Sequence, residues 1–148
     1  MLNQDFKDML QCLLDENVDF LLVGGYALAA HGFPRATKDM DIWVCADPEN
    51  ARKVYRALCA FGAPGEQVSP EDFANEGIIF QVGVAPNRID FITQVDGVSF
   101  QECRRNATTV VVEGITIPLI AKADLIKNKK ASGRPQDLVD ANLLESGD

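Results

Sequence analysis

The sequence has little that would suit a zinc protein or a membrane protein. Its single histidine and four cysteines include no CxxC pair, so the ligand spacing of a structural zinc site is missing. No apolar run approaches the roughly 20 residues that span a bilayer. The polar and charged residues 1–8 do not have the character of a signal peptide. We therefore expect a cytoplasmic protein whose thiols are reduced and mostly buried.

Positive charge is also scarce. The formal net charge is −8, which argues against a broad basic groove for duplex nucleic acid. A local basic patch stays open, because several basic residues gather near the C-terminal end: Lys122, Lys127, Lys129, Lys130 and Arg134. The length of 148 residues and the hydrophobic fraction of 47% fit one domain with a substantial core.

Apolar periodicity and capping residues predict the order of the elements. Helices are expected over 3–16, 26–30, 48–61, 121–131 and 135–145, with a short one between 69 and 77. Strands are expected over 20–23, 39–45, 78–84, 88–93, 109–112 and 115–117, with a short extension at 98–100. This order predicts an α/β or α+β fold, a mixed β-sheet flanked by helices. We expect one domain over 1–148, with a core at about 18–118 and a helical tail at about 120–146.

Two acids begin the second predicted strand, in the run Asp39-Met40-Asp41. Residues i and i+2 of a strand face the same way, about 6.5–7 Å apart. Two carboxylates so placed can hold one or two Mg²⁺ ions. The apolar neighbours exclude an EF-hand loop, which needs polar ligands and a glycine. Taken alone, the pattern also fits two solvated acids at the start of a strand.

A third acid, Asp90, lies within a predicted strand between apolar neighbours. A carboxylate there requires compensation, which Arg88, a lysine or a metal ion could supply. If Asp90 lay beside Asp39 and Asp41, the three charges would repel one another. A divalent cation would relieve that repulsion.

Gly24 and Gly25 leave the first predicted strand and enter a helix. Glycines let the backbone approach a phosphate closely, and the start of a helix offers free N–H donors. The sequence around them does not match the P-loop pattern GxxxxGK[ST]. A Gly-Gly pair also occurs in simple turns, so this feature is informative only in combination with the acids.

The combination is more specific. Thirteen residues separate Gly25 from Asp39. The segments 22–28 and 35–42 together resemble the signature of the polymerase-β-like nucleotidyltransferase superfamily, and Asp90 matches its third carboxylate. Residues 125–137 resemble the lysine-containing tail of its small bacterial branch, which includes AbiEii-type toxins of type IV toxin–antitoxin systems. Lincosamide nucleotidyltransferases are more distant relatives. The resemblance covers 20–44, 78–93 and 120–144.

The resemblance implies a nucleotidyltransferase that moves a nucleoside monophosphate from an NTP to an acceptor hydroxyl. It implies that Asp39 and Asp41 bind Mg²⁺ or Mn²⁺. It also implies that Asp90 completes the second metal site and activates the acceptor hydroxyl.

The same resemblance implies that Gly24 and Gly25 hold the triphosphate and that Lys129 neutralises it. Many members have Ser in place of Gly25, and its hydroxyl also contacts phosphate. Gly25 keeps only the N–H, so weaker phosphate binding is expected here. Asp137 matches an acid of the tail motif whose role the resemblance leaves open. Arg35 and Thr37 lie on the loop before Asp39, where they could contact phosphate or the acceptor, or serve only to position the loop.

The acceptor is not readable from the sequence and could be a tRNA, a protein or a small molecule. AbiEii-type toxins carry a further C-terminal domain that this sequence does not show, so an antitoxin or another partner protein could complete the acceptor platform. Two rival functions stay open. Nucleotide-sugar glycosyltransferases also use a DxD metal site, and a degenerate nucleotidyltransferase could bind nucleotide only to regulate a partner.

Overall fold

A computed structural model of the chain describes residues 3–33, 39–63, 68–83 and 88–147. The helices are α1 (Gln4–Asp15), α2 (Gly24–Ala30), α3 (Pro48–Phe61), α4 (Phe100–Asn106), α5 (Lys122–Ser132) and α6 (Pro135–Ser146). The strands are β1 (Phe20–Val23), β2 (Asp39–Val44), β3 (Ile79–Val82), β4 (Arg88–Ile92), β5 (Thr108–Val112) and β6 (Ile115–Leu119). A 3₁₀ helix occupies Pro70–Ala74.

The six strands form one mixed sheet in the order β3-β4-β2-β1-β6-β5. β2 pairs antiparallel with β1 and parallel with β4. β1 also pairs parallel with β6. The sheet and its helices confirm the expected α/β architecture. None of the described helices has the length and apolar character needed to cross a bilayer.

Local sequence explains why α1 begins where it does and which side it buries. The side chain of Asn3 accepts a hydrogen bond from the backbone N–H of Phe6 at 2.9 Å, which satisfies a donor that the first turn leaves free. Phe6, Met9 and Leu13 are fully buried, and their spacing of three and four residues puts them on one helix face. This face packs on the sheet as part of the hydrophobic core.

The helix predicted over 48–61 is confirmed, and the residues at its two ends explain its bounds. Asp47 is its N-cap and accepts from the backbone N–H of Asn50 at 2.8 Å, while Pro48 takes the first helical position. Gly62 ends the helix with a φ of +99°, a left-handed conformation that glycine adopts without steric penalty.

The strand extension expected at 98–100 is wrong, because Phe100 begins helix α4 instead. The hydroxyl of Ser99 accepts a hydrogen bond from the backbone N–H of Glu102 at 3.4 Å, which makes Ser99 the N-cap of this helix and not a strand residue. The helix brings Phe100 onto Trp43 of β2 in an edge-to-face contact with ring centroids 5.2 Å apart. Trp43 is 2% exposed and is therefore a core residue.

Candidate active site

Strand β2 carries two acids on one face of the sheet and buries the alternate side chains in the core. Met40 and Ile42 are fully buried, whereas Asp39 and Asp41 are only half-buried. The alternation is the period of two that a strand imposes on its side chains. The pleat thus places both carboxylates on the same face of the sheet.

Strand β4 adds the third acid through its parallel register with β2. Asp90 lies directly opposite Asp41, and residues in register on adjacent strands point to the same face of a sheet. Carboxylate oxygens of Asp39, Asp41 and Asp90 all lie within 4.8 Å of one another. The structure therefore brings Asp90 close to Asp39 and Asp41, although about 50 residues of sequence separate them.

Arg88, which lies opposite Asp39 in the same register, gives two of these acids a partner. Its Nη2 donates to Asp39 at 2.7 Å and its Nε donates to Asp90 at 2.9 Å. The compensation that Asp90 required therefore comes at least in part from Arg88. The carboxylate of Asp41 makes no hydrogen bond with Arg88 in the structure.

The surroundings of Asp41 disfavour its ionised form. Burial, together with the charges of Asp39 and Asp90, raises the pKa of Asp41 from 3.8 to about 7, against the opposing effect of Arg88 and Lys129. Burial also raises the pKa of Asp90, although the guanidinium of Arg88 works against that shift. The ionised forms of Asp41 and Asp90 are thus disfavoured even with Arg88 nearby, and an added positive charge would stabilise them.

Gly24 lies against this acidic group at the junction of β1 and α2. Its φ is +71°, and a Cβ atom built on it would collide with the carboxylate of Asp41. Only glycine fits both the conformation and the space. Gly25 follows in the first turn of α2 and is half-buried.

A cleft of about 430 Å³ opens beside Gly24 and Asp41. Its other wall comes from the C-terminal helices and the turn between them, through Lys129, Arg134 and Asp137. The sequence-predicted tail and the acidic strands therefore border one space. Arg35 and Thr37 lie outside the described residues.

Lys129 faces inward, but two carboxylates already bind its ammonium group. Nζ lies 3.3 Å from Asp137 and 3.0 Å from Asp140, and the side chain is 8% exposed. Its neighbours Lys127 and Lys130 point outward instead, with side chains that are 61% and 52% exposed. The structure thus gives Lys129 internal partners that the resemblance did not imply.

Asp137 is the centre of this second cluster. It accepts hydrogen bonds from Ser132, Lys129 and Arg134, the last at 2.7 Å from Nε. Burial raises its pKa, but these donors outweigh burial and hold the pKa of Asp137 below its ordinary value. Asp137 therefore stays ionised as a fixed structural anion.

Asp140 is a member of this cluster that the sequence did not single out. A signal for Asp140 was present, because Asp137, Asp140, Ala141 and Leu144 form the buried face of α6. Their spacing of three and four residues marks an acid that belongs to an apolar face. Such an acid needs a cation nearby, and Lys129 meets that need.

The chemistry of the acidic group suits a hard divalent cation. Among the described residues, Asp39, Asp41 and Asp90 are the one group of three or more histidine, cysteine or acid side chains close enough to share an ion. Carboxylate oxygens are the ligands that Mg²⁺ and Mn²⁺ prefer. The raised pKa of Asp41 records the charge imbalance that such an ion would correct.

No family model matches the chain, and no curated protein matches it in sequence. Solved structures do match. The crystal structure of the lincosamide antibiotic adenylyltransferase LnuA, bound to lincomycin, superposes with a TM-score of 0.58 at 14% identity, covering 99% of this chain and 98% of that one. A candidate nucleotidyltransferase from Thermotoga maritima superposes with a TM-score of 0.57 at 14% identity, covering 98% and 93%. The chain therefore has a nucleotidyltransferase fold.

Proposed function

We propose that this protein is a metal-dependent nucleotidyltransferase, which transfers a nucleoside monophosphate from an NTP to an acceptor hydroxyl and releases pyrophosphate. The observation that carries the proposal is the convergence of three carboxylates beside a glycine turn, with Asp41 of this group lining a cleft. The shared fold with nucleotidyltransferases supports it.

In the proposed reaction, the acceptor oxygen forms a bond to the α-phosphorus as the bond to the pyrophosphate oxygen breaks. Asp39, Asp41 and Asp90 would hold Mg²⁺ or Mn²⁺, which stabilises the attacking and leaving oxygens when bound. The proton of the acceptor hydroxyl passes to the carboxylate of Asp90. Burial raises the pKa of Asp90, which makes its carboxylate a better proton acceptor than an exposed one.

Gly24 and Gly25 would bring backbone N–H groups to the phosphates at the start of α2. The absence of a side chain on Gly24 keeps open the space next to Asp41, where a phosphate has to lie if the acids are to act on it. Lys129 and Asp137 would form the opposite wall.

Three acceptor classes fit the proposal: a tRNA, a protein hydroxyl or a small molecule. By its name, LnuA acts on lincosamide antibiotics, and its similar length supports a small-molecule acceptor. A tRNA acceptor would fit the toxin role that the resemblance to AbiEii-type proteins implies, with an antitoxin as the partner.

Incubation with each of four α-labelled NTPs, Mg²⁺ and a cell lysate tests the proposal. We expect label from one or more NTPs to enter an acceptor, whose sensitivity to ribonuclease, protease or filtration identifies its class. Asp41→Asn protein is the matched control. Absence of both label transfer and pyrophosphate release with every NTP contradicts the proposal.

A second candidate function is a nucleotide-binding module without transfer activity. The observation that favours it is Arg88, which bridges Asp39 and Asp90 and so partly balances the acids without a metal. Binding of an NTP with Mg²⁺, without pyrophosphate release in any lysate, would establish this second function in place of the first.

A further inference from the structure

The cleft needs positive charge on the wall that faces the acidic strands. A triphosphate placed beside Asp39, Asp41 and Asp90 meets strong repulsion unless cations approach it from another side. The tail offers two cations that line the cleft, Lys129 and Arg134. Their surroundings differ, and the difference indicates which of them is free to bind a ligand.

Lys129 has little charge to offer a ligand. Its ammonium group lies between the carboxylates of Asp137 and Asp140, and those side chains are 10% and 1% exposed. To turn toward a phosphate, it would have to break its ion pairs with both buried acids, which costs several kcal/mol. Lys129 therefore holds α5 and α6 together rather than reaching into the cleft.

Arg134 has the opposite character. Its Nε donates to Asp137 at 2.7 Å, yet its side chain is 78% exposed. Within the described part of the chain, its two Nη groups make no hydrogen bond. One edge of the guanidinium is thus fixed to a buried carboxylate, while the other edge keeps its donors for a ligand.

The backbone around Arg134 supports that placement. Gly133 ends α5 with a φ of +69°, and Pro135 takes the first position of α6 with its φ fixed by the ring. The turn between the helices is therefore short and conformationally restricted. A donor group on such a turn loses little freedom when it binds.

We propose that Arg134 binds a phosphate group of the nucleotide across the cleft from Asp41, and that Asp137 is the positioning residue that orients its guanidinium. This inference rests on the proposed function. It assigns to Arg134 the phosphate contact that the resemblance assigned to Lys129. An arginine suits the task because its planar donors can bind two phosphate oxygens at once.

The test is equilibrium titration of four proteins with each NTP plus Mg²⁺, and with the matching nucleoside. Arg134→Ala should weaken binding of the preferred NTP by about 10–100-fold, the range for a lost charge-assisted contact, and leave nucleoside affinity unchanged. Arg134→Lys should lose less. Lys127→Ala, which removes an exposed cation of the same tail, should bind both ligands as the wild type does.

Asp137→Asn tests the positioning role. It keeps the shape of the side chain and removes its charge, so the guanidinium of Arg134 is less well oriented. We expect a smaller loss of NTP affinity than in Arg134→Ala, with nucleoside affinity again unchanged. A loss that is equal for NTP and nucleoside would show general damage to the fold and overturn the positioning role.

The outcomes separate the inference from the function on which it rests. If the wild type binds an NTP and Arg134→Ala binds it equally well, the inference fails and the proposed function stands. An equal loss of NTP and nucleoside affinity in Arg134→Ala also overturns the phosphate contact. If the wild type binds none of the four NTPs with Mg²⁺, both fail.

Discussion

Two groups of acidic side chains reach the same cleft, one through Asp41 and the other through Asp137, and they differ in how their charge is balanced. Arg88 forms ion pairs with Asp39 and Asp90, but it makes no hydrogen bond with Asp41, which lies within 4.8 Å of both acids and therefore among like charges. On the other wall, Asp137 and Asp140 are matched by two cations, Lys129 and Arg134. Burial raises the pKa of Asp41 to about 7, whereas the pKa of Asp137 lies below its ordinary value.

The difference indicates what each group is for. A cluster whose charges are matched inside the protein stabilises the packing of two helices and needs nothing from outside. A cluster with excess negative charge is less stable alone and gains from an added cation. The position of each acid in the sheet or helix does not reveal this distinction; the identity and number of its partners does.

The largest effect is expected from Asp41→Asn, which should reduce transfer activity. If the acids hold the metal, transfer should fall by about 10³-fold or more, since a metal ion supplies several kcal/mol of transition-state stabilisation. The fold should stay intact, and the metal-free protein should be slightly more stable because one repelling charge is gone. Label transfer and thermal melting measure the two results.

Asp96→Asn is the control for this prediction, because Asp96 lines the same cleft without belonging to the acidic group. It should keep most of the activity. Full transfer by a folded Asp41→Asn protein would remove Asp41 from the proposed metal site.

The second-largest effect is expected on the stability of the cluster formed by Lys129, Asp137 and Asp140. Lys129→Met leaves Asp137 and Asp140 without their shared cation in a buried setting. We expect the free energy of unfolding to fall by about 3–5 kcal/mol. Lys127→Met, at an exposed position of the same helix, should change it by about 0.5 kcal/mol or less. Urea denaturation compares them, and equal small losses would show that the cluster does not hold the helices.

The pH dependence of stability gives a third contrast. The pKa of Asp41 is raised from 3.8 to about 7 in the folded protein, so the folded state binds more protons than the unfolded state between these values. The contribution of Asp41 to stability is then full below pH 3.8 and is lost as the pH rises to about 7. Asp41→Asn should remove this loss, and added Mg²⁺ should reduce it in the wild type above pH 7.

Chemical denaturation of the metal-free proteins at several pH values measures that contrast. The quantity to compare is the difference in unfolding free energy between wild type and Asp41→Asn, because acids away from this group titrate equally in both. A difference that does not change between pH 4 and pH 7 would mean that the pKa of Asp41 is not raised.

The smallest effect is expected from Arg88→Ala. The guanidinium donates to Asp39 and Asp90 and so competes with a metal for the same oxygens. Its removal should tighten Mg²⁺ binding by about 3–10-fold, which is less than a full charge-assisted contact because solvent screens the partly exposed guanidinium. Arg104→Ala breaks an ion pair of similar length, 2.8 Å to Asp19, away from the cleft, and should leave Mg²⁺ affinity unchanged. Weaker Mg²⁺ binding in Arg88→Ala would show that Arg88 supports the site.

The sequence by itself determined the elements and the face on which the acids lie. A strand period of two puts Asp39 with Asp41 and opposite Met40, and caps such as Asp47 mark helix ends. Both depend on neighbours in the chain, so a sequence displays them. The strand extension expected at 98–100 is wrong because local sequence was ambiguous there. A serine before an apolar residue is compatible with a helix cap as well as with a strand.

Only the tertiary structure decided which charges meet. Arg88 contacts Asp39 across 49 positions of sequence, through the parallel register of β2 and β4. Lys129 contacts Asp140 of the next helix because the turn at Gly133 folds α6 back on α5. A lysine in a basic tail is equally consistent with a surface charge, a ligand contact or a buried ion pair, because the energy of a charge depends on its solvent exposure and its partners, and packing sets both.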